Sequence, residues 1–170
     1  MTTTKKKQKP VIFSILSFLP VTLLASCSNS FSEKQIIGKW EDKNIQTYEY
    51  ENGETMTVKT DLESTYFANG KSNSMGTITI TTTTEGHMAF HAIFSSNWEI
   101  RDDVIYETLT NAHLDPTEAD DMKTAKEKAA IFGKGAKGQT IGSKILELTN
   151  DKFLVEDIED GAQSVYHRID

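Results

Sequence analysis

The hydrophobic rhythm of the chain changes once, sharply. Residues 11–25 (VIFSILSFLPVTLLA) are uncharged and almost wholly apolar, and they follow a start (MTTTKKKQKP) with four lysines and no acid. From Ile36 onward, apolar residues fall in short runs, many at every second position, broken by Asn, Asp and Gly. A period of two is that of a strand with one face buried. After a first strand opening at Gly38, runs Ile45 to Glu51 and Glu54 to Lys59 flank Asn52-Gly53, a hairpin turn because both residues tolerate positive φ. Leu62 to Ala68 follows, then a turn at Asn69-Gly70 and two longer strands, 76–84 and 87–97, around Glu85-Gly86. Met88, Phe90, Ala92 and Phe94 alternate and so share one face. Asp102-Asp103 turns the chain between Asn97 to Ile100 and Val104 to Leu109. Strands at 144–148, 153–158 and 163–169 close the chain, with turns at Asn150-Asp151 and Asp160-Gly161.

One helix interrupts this series. Asp115-Pro116-Thr117-Glu118 combines an N-cap acid, a proline at the first helical position and a glutamate at the third. Met122, Ala125, Ala129 and Phe132 then mark one face of a helix over 116–132, and Gly133 is a natural stop. The pattern predicts a mainly β fold: an antiparallel up-and-down barrel of about eight to ten strands, with one α-helix inserted before the last three.

The leader changes where the domain is expected to work. A basic start and an apolar middle have the layout of an export signal, and about 15 apolar residues containing Pro20 fall short of the roughly 20 that a spanning helix needs. Leu24-Ala25-Ser26-Cys27 resembles the lipobox of bacterial lipoproteins. That resemblance implies cleavage between Ser26 and Cys27 and acylation of Cys27 by chains such as palmitate. The expected division is a signal peptide over 1–26, a lipidated cysteine and tether over 27–35, and a domain over 36–170. Two or three acyl chains hold a protein at a membrane, at about 0.8 kcal/mol per buried methylene. Ser28, where an Asp would signal retention in the inner membrane, points to the outer membrane facing the periplasm in a Gram-negative envelope. Cys27 is the sole cysteine, which excludes an intrachain disulfide and a multi-cysteine zinc site.

Charge narrows the partners further. The full chain carries 18 bases and 25 acids, a net charge of −7; without the four leader lysines the balance is 14 against 25, or −11. Nucleic acid is excluded as a partner, because binding it requires a basic surface to displace phosphate counterions.

Gly38-Lys39-Trp40 at the start of the first strand resembles the Gly-x-Trp signature of lipocalin-like (calycin) barrels, and Arg168 in the last strand resembles the arginine that covers that tryptophan. The resemblance implies that Gly38, Trp40 and Arg168 close one end of a barrel whose interior takes a small amphipathic ligand. The chain departs from lipocalins in placing its helix before the last three strands and in lacking a disulfide.

Candidate chemistry adds little to this. Gly133-Lys134-Gly135-Ala136-Lys137-Gly138 spells G-x-G-x-x-G, but it follows a helix and precedes a strand, the reverse of a dinucleotide site. His87 and His91 share a strand face yet stand about 13 Å apart, too far to grip one metal ion; a polar contact from His91 into the barrel is the alternative. No nucleophile elbow occurs. The expectation is therefore a non-catalytic protein with no cofactor and no metal. Phe90, Phe94, Trp98 and Tyr106, on consecutive strands, are the expected ligand-facing residues. The alternative is a solid barrel that docks or inhibits an envelope protein through its acidic surface.

Overall fold

The computed structural model describes residues 31–169. A short helix, α1 (Glu33–Ile36), leads into eight antiparallel strands: β1 (Gly38–Glu49), β2 (Thr55–Phe67), β3 (Lys71–Thr82), β4 (Gly86–Arg101), β5 (Val104–Ala119), β6 (Thr140–Leu148), β7 (Lys152–Asp157) and β8 (Gln163–Arg168). Helix α2 (Met122–Ala136) lies between β5 and β6. Each strand pairs with the next in sequence, and β8 returns to β1, so the sheet closes as an up-and-down barrel.

The barrel is lopsided. Strands β1 to β5 run 12 to 16 residues, whereas β6 to β8 run 6 to 9. β8 pairs with β1 only at Trp40 to Asp42, and β6 pairs with β5 only at Val104 to Thr108. The wall is complete at one end and opens at the other, where the long strands continue without β6 to β8. Runs read from sequence as separate strands are continuous, because Thr60 and Asp61 keep pairing with Ile78 and Thr77 and so join two of them into β2.

The complete end is plugged. Trp40, Tyr66, Trp98, Ile105, Ile145 and Phe153 are buried there, with Ile36 of α1 pressed beneath them. Ser32 and Gln35 form a reciprocal capping box that fixes the entry of α1.

Helix α2 corrects the sequence reading. Asp115 to Glu118 do not cap a helix; they belong to β5, where Pro116 faces Phe90 at a register shift. By that point β5 has no β6 beside it, and proline is tolerated at such an edge or bulge because no ladder bond needs its missing N–H. The helix starts at Met122, with Asp121 as N-cap accepting from the amides of Lys123 and Thr124. Gly133 does not stop it. A Cβ there would lie 3.1 Å from the Ala112 carbonyl, so Gly133 lets the helix press on β5 and run on to Ala136. The helix buries Ala125 and Ala129 against Met88 and Phe90, on the inner face of the extended sheet, and so roofs part of the open end. Asp121→Ala is expected to cost about 1 kcal/mol. Hydrogen exchange should then show faster opening of α2, with the amides of β1 and β2 unchanged.

Candidate functional site

Above the plug the barrel interior becomes polar and hollow. A cavity of about 180 Å³ is lined by residues from every strand except β7. Its apolar wall is Leu62, Phe94, Leu109 and Ile141, and its polar side is Asp42, Ser64, Ser74, Ser96, Glu107 and the tyrosines Tyr66 and Tyr166. No Lys, Arg or His is among these residues.

Glu107 anchors the polar side. It reaches inward because it shares the two-residue period of Ile105, which is buried in the plug. Its Oε1 accepts from the hydroxyls of Ser72 at 2.9 Å and Ser96 at 3.1 Å, and its Oε2 accepts from Tyr66 at 3.1 Å. The two serine oxygens are themselves 2.5 Å apart. Loss of water raises the Glu107 carboxyl above the usual range, and the three donated hydrogen bonds oppose that rise.

Asp42 is the second inward carboxyl, placed by alternation from Trp40. It is 6% exposed. Its Oδ2 accepts from Thr60 at 3.1 Å, while its Oδ1 is buried with no hydrogen-bond partner. Desolvation raises its pKa, the Thr60 hydrogen bond opposes this, and neighbouring Asp61 adds to the rise. The tyrosines respond to both acids: burial, then Glu107, holds Tyr66 far above its ordinary range, and burial, then Asp42 and Glu107, does the same to Tyr166. An orphaned buried carboxylate oxygen is costly to a fold.

The cavity continues toward the open end. A second space of about 200 Å³ shares Ile141 and Tyr166 with it and is bordered by Gln46, Tyr48, Ser143, Asp157, Asp160 and Ser164. This mouth lies between the free half of β1 and the β7–β8 turn. Its charged residues are both acidic.

The structure separates the four expected ligand-facing residues. Phe94 lines the cavity, with the ring of Phe132 from α2 at 6.2 Å. Phe90 is buried beneath α2 instead, because the helix covers the inner face at that level. Trp98 belongs to the plug, edge-on to Tyr66 at 5.6 Å and donating through Nε1 to the Lys71 carbonyl at 3.0 Å. Tyr106 has the opposite parity from Ile105 and Glu107. It faces outward, beneath the Arg101 guanidinium at 4.4 Å. His91 is exposed, not inward. The glycine-rich stretch is the last turn of α2 and the residues after it.

Gly38, Trp40 and Arg168 meet at the plugged end. Trp40 is fully buried and donates through Nε1 to the Ile36 carbonyl at 2.7 Å. The Arg168 guanidinium lies 4.2 Å over the Trp40 ring and donates to the carbonyls of Gln35, Ile37 and Asn150 at 2.6, 3.0 and 2.5 Å. Gly38, with φ of 133°, turns the chain from α1 into β1. Ser26 and Cys27 lie outside the described residues.

Glu107 and Asp42 are the residues that sequence reading missed. The available signal was parity: each is two residues from a core apolar residue in the same strand. Among the described residues, no group of three or more His, Cys, Asp or Glu is placed to hold a metal ion.

No protein-family model matches the sequence, and no curated protein does. Among solved structures the chain is similar to a lipocalin-like protein from Bacteroides uniformis, at 15% identity and a TM-score of 0.41, over 79% of this chain and 99% of that one. It is likewise similar to an uncharacterized protein from Bacteroides eggerthii, at 15% identity and a TM-score of 0.43, with the same coverage.

Proposed function

We propose that this is a lipid-anchored protein of the cell envelope whose barrel holds a small amphipathic ligand without transforming it. The observation that carries the reading is the cavity itself: a hollow with one apolar wall, one hydrogen-bonding wall and an unpartnered buried acceptor, Asp42 Oδ1. Convergent polar groups in an otherwise apolar concavity are the usual features of a ligand site. A solid docking module would have no use for buried carboxyls without counter-ions. Ser72 and Ser96 donate to Glu107, but activating a serine normally takes a stronger base beside it.

Two measurements test this reading. The full chain carrying Cys27→Ser, titrated in a thermal-shift panel of short-chain amines, alcohols and carboxylates, is expected to be stabilised by at least one class. At a concentration about 100 times Kd the gain is about 2.7 kcal/mol, or roughly 5–10 °C for a chain of this size. Leu109→Trp, which fills the cavity, should remove the shift; a panel with no active member would sink the reading. Radiolabelled palmitate fed to expressing cells should label the wild type and not Cys27→Ser, and the variant should leave the membrane fraction. Equal labelling of the two would overturn the anchor.

A further inference from the structure

We infer that the ligand is a small organic cation, an alkylammonium whose charged head sits between Asp42 and Glu107 and whose short chain lies against Leu62, Phe94, Leu109 and Ile141. This deepens the proposed ligand-binding function and rests on it.

Three observations converge on positive charge. First, the cavity holds two inward carboxyls, and no Lys, Arg or His lines it. Buried acids ordinarily have a cationic or metal partner, and here none of the lining residues supplies one. Second, the hydrogen-bonding capacity is unevenly used. Glu107 accepts from three hydroxyls, leaving about one of its four lone-pair sites, whereas Asp42 Oδ1 accepts from nothing. The missing partner is a donor, and an ammonium offers three. Third, the route in has the same sign. Asp157 and Asp160 border the mouth, Asp157 and Glu159 border the adjoining surface hollow, and no Lys, Arg or His lines either space. Acidic clefts with low-dielectric walls concentrate cations and speed their association.

Size and shape restrict the ligand. A cavity of about 180 Å³ corresponds to roughly six water volumes, room for a primary amine with a chain of about four carbons. The mouth allows a longer one. A bare inorganic ion would leave the apolar wall without a partner. The titratable groups that share the cavity with the two acids are Tyr66 and Tyr166, and the exposed Asp61 adds its charge to Asp42 from the neighbouring position of β2. None is cationic, so the site's affinity for an ammonium follows ionisation of the carboxyls. Burial raises the pKa of both from their ordinary values, so binding weakens on acidification and does so at a higher pH than two exposed carboxyls would give.

The test is calorimetric titration of the full chain carrying Cys27→Ser with three probes of one shape: n-butylammonium, butan-1-ol and butyrate. Butylammonium is expected to bind, with butan-1-ol and butyrate at least 30-fold weaker. Glu107→Gln and Asp42→Asn should each weaken butylammonium about 30-fold, the equivalent of about 2 kcal/mol for neutralising one partner of a buried charge pair. Each variant's unliganded melting temperature should not fall, because each removes a desolvated charge; this separates loss of binding from loss of fold. Equal or tighter binding of butan-1-ol or butyrate would overturn the cation assignment and leave the ligand cavity standing. Unchanged butylammonium affinity in both variants would overturn it too, as would competition by calcium chloride at equal concentration. No binding of any of the three probes would count against both the assignment and the cavity reading.

Discussion

Trp40→Ala is expected to cost about 3–5 kcal/mol, the largest loss from any single truncation at the plugged end. Trp40 is fully buried, its ring tilts against Phe153 at 5.7 Å, and its Nε1 satisfies the last carbonyl of α1. Removing it also strands Arg168. The guanidinium lies over the ring while it closes three backbone carbonyls drawn from the α1 segment and the β6–β7 turn. Chemical denaturation should show the midpoint falling, and thermal melting should drop by roughly 10 °C. Arg168→Lys is the informative companion. A lysine keeps the charge but cannot serve three divergent acceptors, so it should lose a substantial part of the same stability. A melting temperature within a degree of wild type for Trp40→Ala would mean that the plug does not hold this end closed.

Gly76→Ala should be nearly as damaging for a different reason. Gly76 pairs with Leu62 on one side and Ala92 on the other, with φ of 155°. A Cβ there would stand 2.0 Å from the Asp61 carbonyl oxygen and 2.9 Å from the Leu62 Cα. Both are backbone atoms, so no rotamer change relieves the clash and the β2–β3 ladder must open. We expect a cost of about 3 kcal/mol or more, combining the backbone conformation with the lost pairing. Gly53→Ala provides the control. Gly53 also has positive φ, but a Cβ there meets nothing within 4 Å, so only the conformational cost of about 1–2 kcal/mol applies. Because Leu62, Ser64 and Ser74 flank this ladder and line the cavity, Gly76→Ala should also weaken ligand binding, whereas Gly53→Ala should not.

Much of the barrel was legible because its cause is local. Alternation at Met88, Phe90, Ala92 and Phe94 gave a strand face, and turns at Glu85-Gly86 and Asp102-Asp103 gave its ends; both aspartates do take positive φ. The helix start was misread for an equally physical reason. Asp115-Pro116-Thr117-Glu118 satisfies the local rules of a helix start, but pairing of Asp115 and Pro116 with His91 and Phe90 outweighs them. Local propensity is a weak prior against a ladder of that length. The cavity was less legible still. Aromatic residues were expected to face it, yet three of the four fill the plug, sit under the helix or lie outside. The choice depends on where along the barrel the plug ends, a property of closure rather than of any one strand. Parity with Ile105 puts Glu107 on the inner face, but nothing in that sequence separates an inner face that ends in a plug from one that continues into a hollow. What separates them is the contribution of Ser72 and Ser96 from two other strands.

The direction in which the chain enters the barrel has a consequence for access. Phe31 packs against the plug and its amide faces the Asp103 carboxylate at 3.4 Å, so the described chain begins at the plugged end. Cys27 precedes it by four residues, a reach of at most about 14 Å. With Cys27 acylated, the bilayer would lie beneath Trp40 and Arg168, and the acidic mouth at the β7–β8 turn would look away from it. Cargo would then arrive by diffusion through the aqueous compartment rather than by climbing out of the lipid, with the plug acting as the pedestal on which an upturned cup stands.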